Sequence, residues 1–183
     1  MNEWWFALDK HFDDEQIQQI LDLYQNPHKG SVGFDQDKEV DFIRRSMIVG
    51  FGFMDPGWKK ISEILDPIVQ LANREVFGFD ISGISEYQIA KYNISEYYKE
   101  HMDCKLRNAP STRKLSVTVQ LSDPNEYDGG DFIFGKDIPQ PPKQVKNKGS
   151  ILVFPSFLYH QITPVKKGDR FSLVGWYEGP QWR

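Results

Sequence analysis

Apolar positions recur at helical spacing twice in the first half of the chain and at strand spacing through most of the second. Ile17, Ile20, Leu21 and Tyr24 follow the period of an amphipathic helix, which predicts a helix over 13–25. Asp13 reads as its N-cap and Gln16 as the capping-box partner. Phe12 and Ile17 occupy the two hydrophobic-staple positions, and Asn26-Pro27 is the stop. A polar, glycine-containing loop follows, and 46–53 reads as a strand. Asp55-Pro56 then gives an N-cap with proline at the first helical position. Trp58, Ile61, Ile64, Leu65, Ile68 and Leu71 form the stripe of a second, longer helix. Pro67 lies inside that stripe and predicts a kink or an early break.

Beyond Gly78 the pattern changes. Strands are expected over 87–92, 97–101 and 115–121. A turn falls at Asp128-Gly129-Gly130, followed by strands over 131–134 and 151–154. The stretches 159–165 and 170–176 read as a hairpin around Lys167-Gly168-Asp169. Helices followed by short strands point to an α+β fold. The expected form is a double-stranded β-helix (jelly-roll) core with N-terminal helices packed on one sheet. The 183 residues suit a single domain over 1–183, with a helical part over about 1–78 and a β-barrel core over about 79–179.

Composition narrows the partners. The net charge is −4 and the basic residues are scattered, which argues against a nucleic-acid backbone as ligand. The single cysteine, Cys104, excludes an intrachain disulfide. The first residues lack the basic and apolar segments of a signal peptide, and no apolar run has membrane-spanning length, so a cytoplasmic location away from membranes is expected.

Candidate chemistry begins at His101-Met102-Asp103. Two side chains two residues apart at a strand end can share one metal, although with 26 acidic residues in the chain such a pair also arises by chance. His160, next to the apolar run before it, changes the picture. Two neutral imidazoles and one carboxylate make the facial triad of non-haem iron(II) oxygenases, which leaves metal positions open for an oxoacid and dioxygen. Arg170 follows ten positions after His160. On adjacent strands of a hairpin that spacing would turn both side chains into one barrel. An inward arginine needs an anion, which a carboxylate of an oxoacid would supply, with a structural ion pair to Asp169 or Glu178 as the rival. Cys104 is read as packing or an exposed thiol, and His11 and His28 receive no role.

These residues sit in an ordered set of motifs. Ala90-Lys91-Tyr92 and Tyr97-Tyr98-Lys99-Glu100 lead into His101-Met102-Asp103. Leu121-Ser122-Asp123-Pro124 precedes Asp128-Gly129-Gly130-Asp131-Phe132, and Gly149-Ser150-Ile151-Leu152-Val153-Phe154-Pro155-Ser156 precedes His160. Gly168, Arg170, Ser172 and Trp176 close the set. The set resembles the 2-oxoglutarate/iron(II) oxygenases, specifically their prolyl 4-hydroxylase-like branch. The resemblance implies that His101, Asp103 and His160 hold Fe(II). It implies that Arg170, Tyr92 and Ser172 bind 2-oxoglutarate, and that Tyr98 and Trp176 line the substrate pocket. O2 would be the other co-substrate and ascorbate a reductant. Two positions depart from the family: Ser95 stands where glycine is usual and Gln120 where tyrosine is common. The implied reaction is hydroxylation of a C–H bond, with a proline in a peptide or protein as the favoured target. Another protein side chain or a free amino acid is the enzymatic rival, and a non-oxidative cupin-like metal-binding module the non-oxygenase one.

Overall fold

The computed structural model describes residues 4–30, 40–104 and 111–182. In chain order its elements are β1 (Phe6–Leu8), α1 (Asp14–Leu21), β2 (His28–Lys29), α2 (Val40–Ile43), β3 (Arg44–Arg45), β4 (Met47–Phe51) and α3 (Pro56–Ala72). The strands β5 (Gly83–Tyr92), β6 (Tyr97–His101), β7 (Arg113–Gln120), β8 (Asp128–Gly129) and β9 (Phe132–Phe134) follow. The chain ends with β10 (Ile151–Pro155), β11 (His160–Ile162), β12 (Val165–Lys167) and β13 (Arg170–Glu178).

Both helix starts form as their sequences dictate. The Asp13 carboxylate accepts from the Gln16 N–H at 2.8 Å, and the Gln16 side chain accepts from the Asp13 N–H at 3.1 Å, a complete capping box. Asp55 caps α3 by accepting from the Gly57 N–H at 2.7 Å. The helix ends differ from expectation. α1 stops at Leu21 rather than near residue 25, because Leu23 and Tyr24 donate three residues back, to Ile20 and Leu21, and tighten the chain out of the α-helical path. α3 runs through Pro67 to Ala72 without a break and continues as a π-helical turn over Asn73–Phe77. Its buried stripe of Ile61, Leu65, Ile68 and Val69 lies across Pro67 and holds the helix to the sheet on both sides.

A seven-stranded antiparallel sheet has the order β1-β10-β7-β13-β5-β4-β2, and a four-stranded sheet the order β3-β6-β11-β9. β8 and β12 form a separate pair. The part expected to be helical, up to residue 78, therefore also supplies strands to both sheets: β1 covers one edge of the large sheet, β4 and β2 the other, and β3 an edge of the small one. Part of the loop expected before residue 46 lies at 31–39, outside the described residues.

The expected hairpin of 159–165 with 170–176 does not form. β11 pairs with β6 and β9 in the small sheet, β12 pairs with β8, and β13 pairs with β5 and β7 in the large sheet. Pro164 has no N–H to continue the ladder, and Gly168 turns the chain at φ 67°. The segment thus crosses from one sheet to the other. The Asp128-Gly129-Gly130 turn likewise contains a short strand, β8.

Strand alternation then sorts the large sheet. Odd positions such as Ile89, Val117, Val153 and Leu173 pack beneath α3 in the main core. Even positions, among them Tyr92, Ser116, Phe154, Ser172 and Trp176, line the space between the sheets. Tyr87 and Tyr177 both donate to Asp66 Oδ1 on α3, at 2.9 and 2.8 Å, and their hydroxyls lie 3.1 Å apart. This buried polar contact ties helix to sheet. Asp66→Ala leaves two buried hydroxyls with only each other, so a stability loss of about 1–3 kcal/mol is expected. A thermal melt unchanged from wild type would show that the contact contributes nothing.

Candidate active site

The two candidate histidines are cross-strand partners. His101 ends β6, His160 opens β11, and the two pair directly in the small sheet. Asp103 lies two residues beyond the end of β6. His101 Nε2 is 3.6 Å from Asp103 Oδ1, and His160 Nε2 is 3.5 Å from Asp103 Oδ2. The donor atoms of the three side chains lie within 4.8 Å of one another.

The second nitrogen of each ring fixes what the first can do. His101 Nδ1 lies 2.7 Å from the Lys99 carbonyl and His160 Nδ1 lies 2.9 Å from the Leu158 carbonyl. A carbonyl only accepts, so both Nδ1 atoms carry a proton and each ring turns its Nε2 toward the carboxylate. Burial pushes His160 down to about 4, against the attraction of Asp103, so its ring is neutral at physiological pH. Burial opposes the charge on Asp103 as well, but the two histidines, in their protonated forms, and the Ser116 hydroxyl hold its carboxyl well below the usual carboxylate range. A lone pair facing an anion without an intervening proton is repulsive. A divalent cation, which nitrogen and oxygen donors take at roughly 2 Å, resolves the arrangement, so the donor set fits a metal.

Neighbouring rings hold these ligand geometries. Tyr98 stacks on His101 with centroids 3.5 Å apart, Phe132 stacks on His160 at 5.4 Å, and Phe154 meets His160 edge-on at 4.8 Å. Asp103 Oδ2 accepts from the Ser116 hydroxyl at 2.6 Å, and Ser116 lies 2.9 Å from the Ser156 hydroxyl. Both serines are buried. The sequence reading missed them: Ser116 lies among other polar residues of β7, and Ser156 lies in the turn after β10. Ser116→Ala removes the support of the carboxylate, and metal affinity is expected to fall about 10–100-fold. Titration with iron(II) or manganese(II) measures this, and unchanged affinity would show that Ser116 does not orient the ligand.

The other candidates come from the opposite sheet. Arg170, Ser172 and Trp176 lie on β13 and Tyr92 on β5, all facing inward. Tyr92, Tyr98, Ser172 and Trp176 line the cavity around the triad. Arg170 is 3% exposed, donates to Ser172 Oγ at 3.2 Å and stands over the Tyr92 ring at 5.6 Å. Among the described residues no carboxylate pairs with it. Asp169, the expected rival, is taken by Lys91 at 2.8 Å. Gly130 makes room for the arginine: at φ 59°, a Cβ there would lie 2.8 Å from Arg170 Cδ.

Tyr127, also missed from sequence, sits beside this arginine. Burial pushes its hydroxyl up, against the pull of Arg170, so it remains a neutral donor and acceptor. Gln120 donates to it at 3.0 Å. Ser95 adopts φ 68°, the left-handed region in which glycine is unstrained. Cys104 is buried rather than exposed and its N–H bonds the Ser156 carbonyl.

A jelly roll with a two-histidine, one-carboxylate face in one sheet and an unpaired buried arginine in the other has the donor arrangement of the non-haem facial-triad proteins. The 2OG-Fe(II) oxygenase superfamily model matches residues 87–178, about half of the chain, and the chain belongs to that superfamily. It is 33% identical over 95 residues to a PKHD-type hydroxylase of Idiomarina loihiensis, covering 52% of this chain and 43% of the relative. A PKHD-type hydroxylase of Synechococcus elongatus is 29% identical over 125 residues, covering 64% and 56%. The chain spans about half the length of the curated relatives it matches. Among solved structures, a Pseudomonas putida prolyl-4-hydroxylase superposes with a TM-score of 0.74 over 97% of this chain and 94% of its own, at 17% identity. A Trichoplax adhaerens prolyl hydroxylase, in complex with a hypoxia-inducible-factor peptide fragment, gives 0.75 over 96% and 84%, at 19% identity. These likenesses establish the double-stranded β-helix fold. Among the described residues no helix is long and apolar enough to cross a membrane.

Proposed function

We propose that the chain is an iron(II)- and 2-oxoglutarate-dependent dioxygenase that hydroxylates a C–H bond, with a peptidyl proline as its target. The observation that carries this reading is the meeting, inside one barrel, of the His101–Asp103–His160 donor face and a buried Arg170 without a carboxylate partner among the described residues. When bound, iron(II) with 2-oxoglutarate and O2 supplies the oxidising chemistry: succinate and carbon dioxide form, and one oxygen atom is delivered to the substrate C–H bond.

The chain's own residues bind, orient and exclude water. His101, Asp103 and His160 hold the metal, and the single negative charge of Asp103 leaves the centre cationic enough to attract an oxoacid. Arg170 presents a planar fork to the distal carboxylate, with the Ser172 hydroxyl on the same side and the Tyr92 hydroxyl available as a further donor. Phe132, Phe154, Ile162 and Val174 add apolar wall beside Arg44 and Thr118 and help keep water from the reacting atoms.

Tyr98 and Trp176 flank the substrate position. Aromatic walls suit a proline ring, which is apolar and has no amide N–H to satisfy, and a Pro-rich peptide arrives already extended. The likeness to prolyl hydroxylases, one of them in complex with a peptide fragment, supports the same target class. Incubation with iron(II), 2-oxoglutarate, ascorbate and a library of proline-containing peptides is expected to form succinate and add one oxygen atom to proline, located by fragmentation. Succinate formation driven by free amino acids or other side chains, and by no proline peptide, would overturn the prolyl assignment alone. No succinate under any condition would favour a non-oxidative metal-binding module.

A further inference from the structure

The space between the sheets does not end at Arg170. Ser116 and Thr118 on β7 and Ser172, Val174 and Trp176 on β13 line the metal cavity. The next inward positions on the same strands, Gln120 and Arg170, line a second cavity of about 460 Å³, and Phe132 borders both. Because the register steps by two on each strand without changing face, the two cavities lie on the same side of the large sheet, next to each other along β7 and β13. The second stretch begins at buried Arg170 and Gln120 and ends at exposed Pro142 and Lys143, so it reaches the surface. Its outer part carries Lys143 and Lys146. Lys146 is held in place by Asp131 at 2.7 Å and by the Gly129 carbonyl at 3.1 Å.

We propose that this second stretch is a rear entrance, through which the oxoacid co-substrate reaches Arg170 and the dicarboxylate product leaves, while the peptide occupies the opposite mouth beside Trp176. The inference rests on the reading of Arg170 as the oxoacid clamp. Three cations against the one carboxylate of Asp131 favour a dianion along this path, and a cavity of this size passes a five-carbon diacid.

The test is stopped-flow binding of 2-oxoglutarate to the iron(II)-loaded protein without oxygen, followed by tryptophan fluorescence. Lys143 is exposed and remote from the triad, so Lys143→Trp narrows the mouth without altering the bound state. Association and dissociation rates are expected to fall together, by about tenfold, with the equilibrium constant within twofold. Lys143→Glu should slow association several-fold at low ionic strength and lose that effect at high salt. Wild-type rates in both variants at every salt concentration would overturn the rear entrance while leaving Arg170 as the clamp. Failure of the wild-type protein to bind 2-oxoglutarate at all would overturn the clamp reading, and the entrance with it.

Discussion

His160→Ala is expected to abolish iron(II) binding and turnover together. The ring is buried, neutral at physiological pH and fixed by the Leu158 carbonyl, so its Nε2 has no role in the fold that a methyl group would leave unfilled except as a donor. Partners outside the ligand set already cost about 10–100-fold in metal affinity when removed, and loss of a direct ligand from a set of three exceeds that. Metal analysis of the purified variant and calorimetric titration with iron(II) measure the loss, and His101→Ala should behave alike. Wild-type activity in either variant would mean the assignment of the triad is wrong. The same substitution relieves an electrostatic strain in the metal-free protein, where a neutral nitrogen lone pair faces Asp103 at 3.5 Å. The metal-free variant should therefore retain its fold, which separates loss of the ligand from loss of the structure.

Arg170→Ala is expected to leave the metal site almost intact and to raise the 2-oxoglutarate requirement steeply. Truncating one side of a buried, hydrogen-bonded charge pair costs about 2–5 kcal/mol, roughly 30-fold or more in affinity. The guanidinium belongs to β13 in the large sheet, whereas His101 and His160 belong to the small one, so the two binding functions are mechanically separable. Arg170→Lys keeps the charge but loses the planar fork and should fall between wild type and alanine. Calorimetry showing unchanged 2-oxoglutarate affinity in Arg170→Ala would remove the arginine from the site.

What could be read from the chain depended on how local its cause was. The Asp13–Gln16 capping box and the Asp55-Pro56 helix start are contacts within four residues, and both form as read. His101, Asp103, His160 and Arg170 could be singled out because a metal site and an anion clamp would restrict residue types severely, and the structure brings the first three within 4.8 Å of one another. The route by which they meet was not. Alternation says that His160 and Arg170 both face inward, but it carries no label for which sheet a strand joins, and the two proved to lie on opposite sheets rather than along a hairpin. Strands of two residues, such as His28–Lys29 and Arg44–Arg45, are too short for any period to appear and exist only because a neighbouring strand offers its edge. Pro67 shows the opposite case, in which packing of α3 on the sheet overrides a strong local signal. Ser116, Ser156 and Tyr127 went unseen because a hydroxyl acquires meaning only from partners distant in sequence.

The two-residue step of β13 has a consequence for how this protein can vary over evolutionary time. Arg170, Ser172, Val174 and Trp176 occupy one face, while Leu173 and Tyr177 occupy the other beneath α3. Substitution at any one of these positions changes one contact. Insertion or deletion of a single residue early in the strand would exchange the two faces downstream, turning the charged and polar set toward the helices and the apolar set toward the metal. β13 thus acts as a reading frame: it tolerates changes of letter but not of length, and variation in length must be confined to the connections, such as the 135–148 segment.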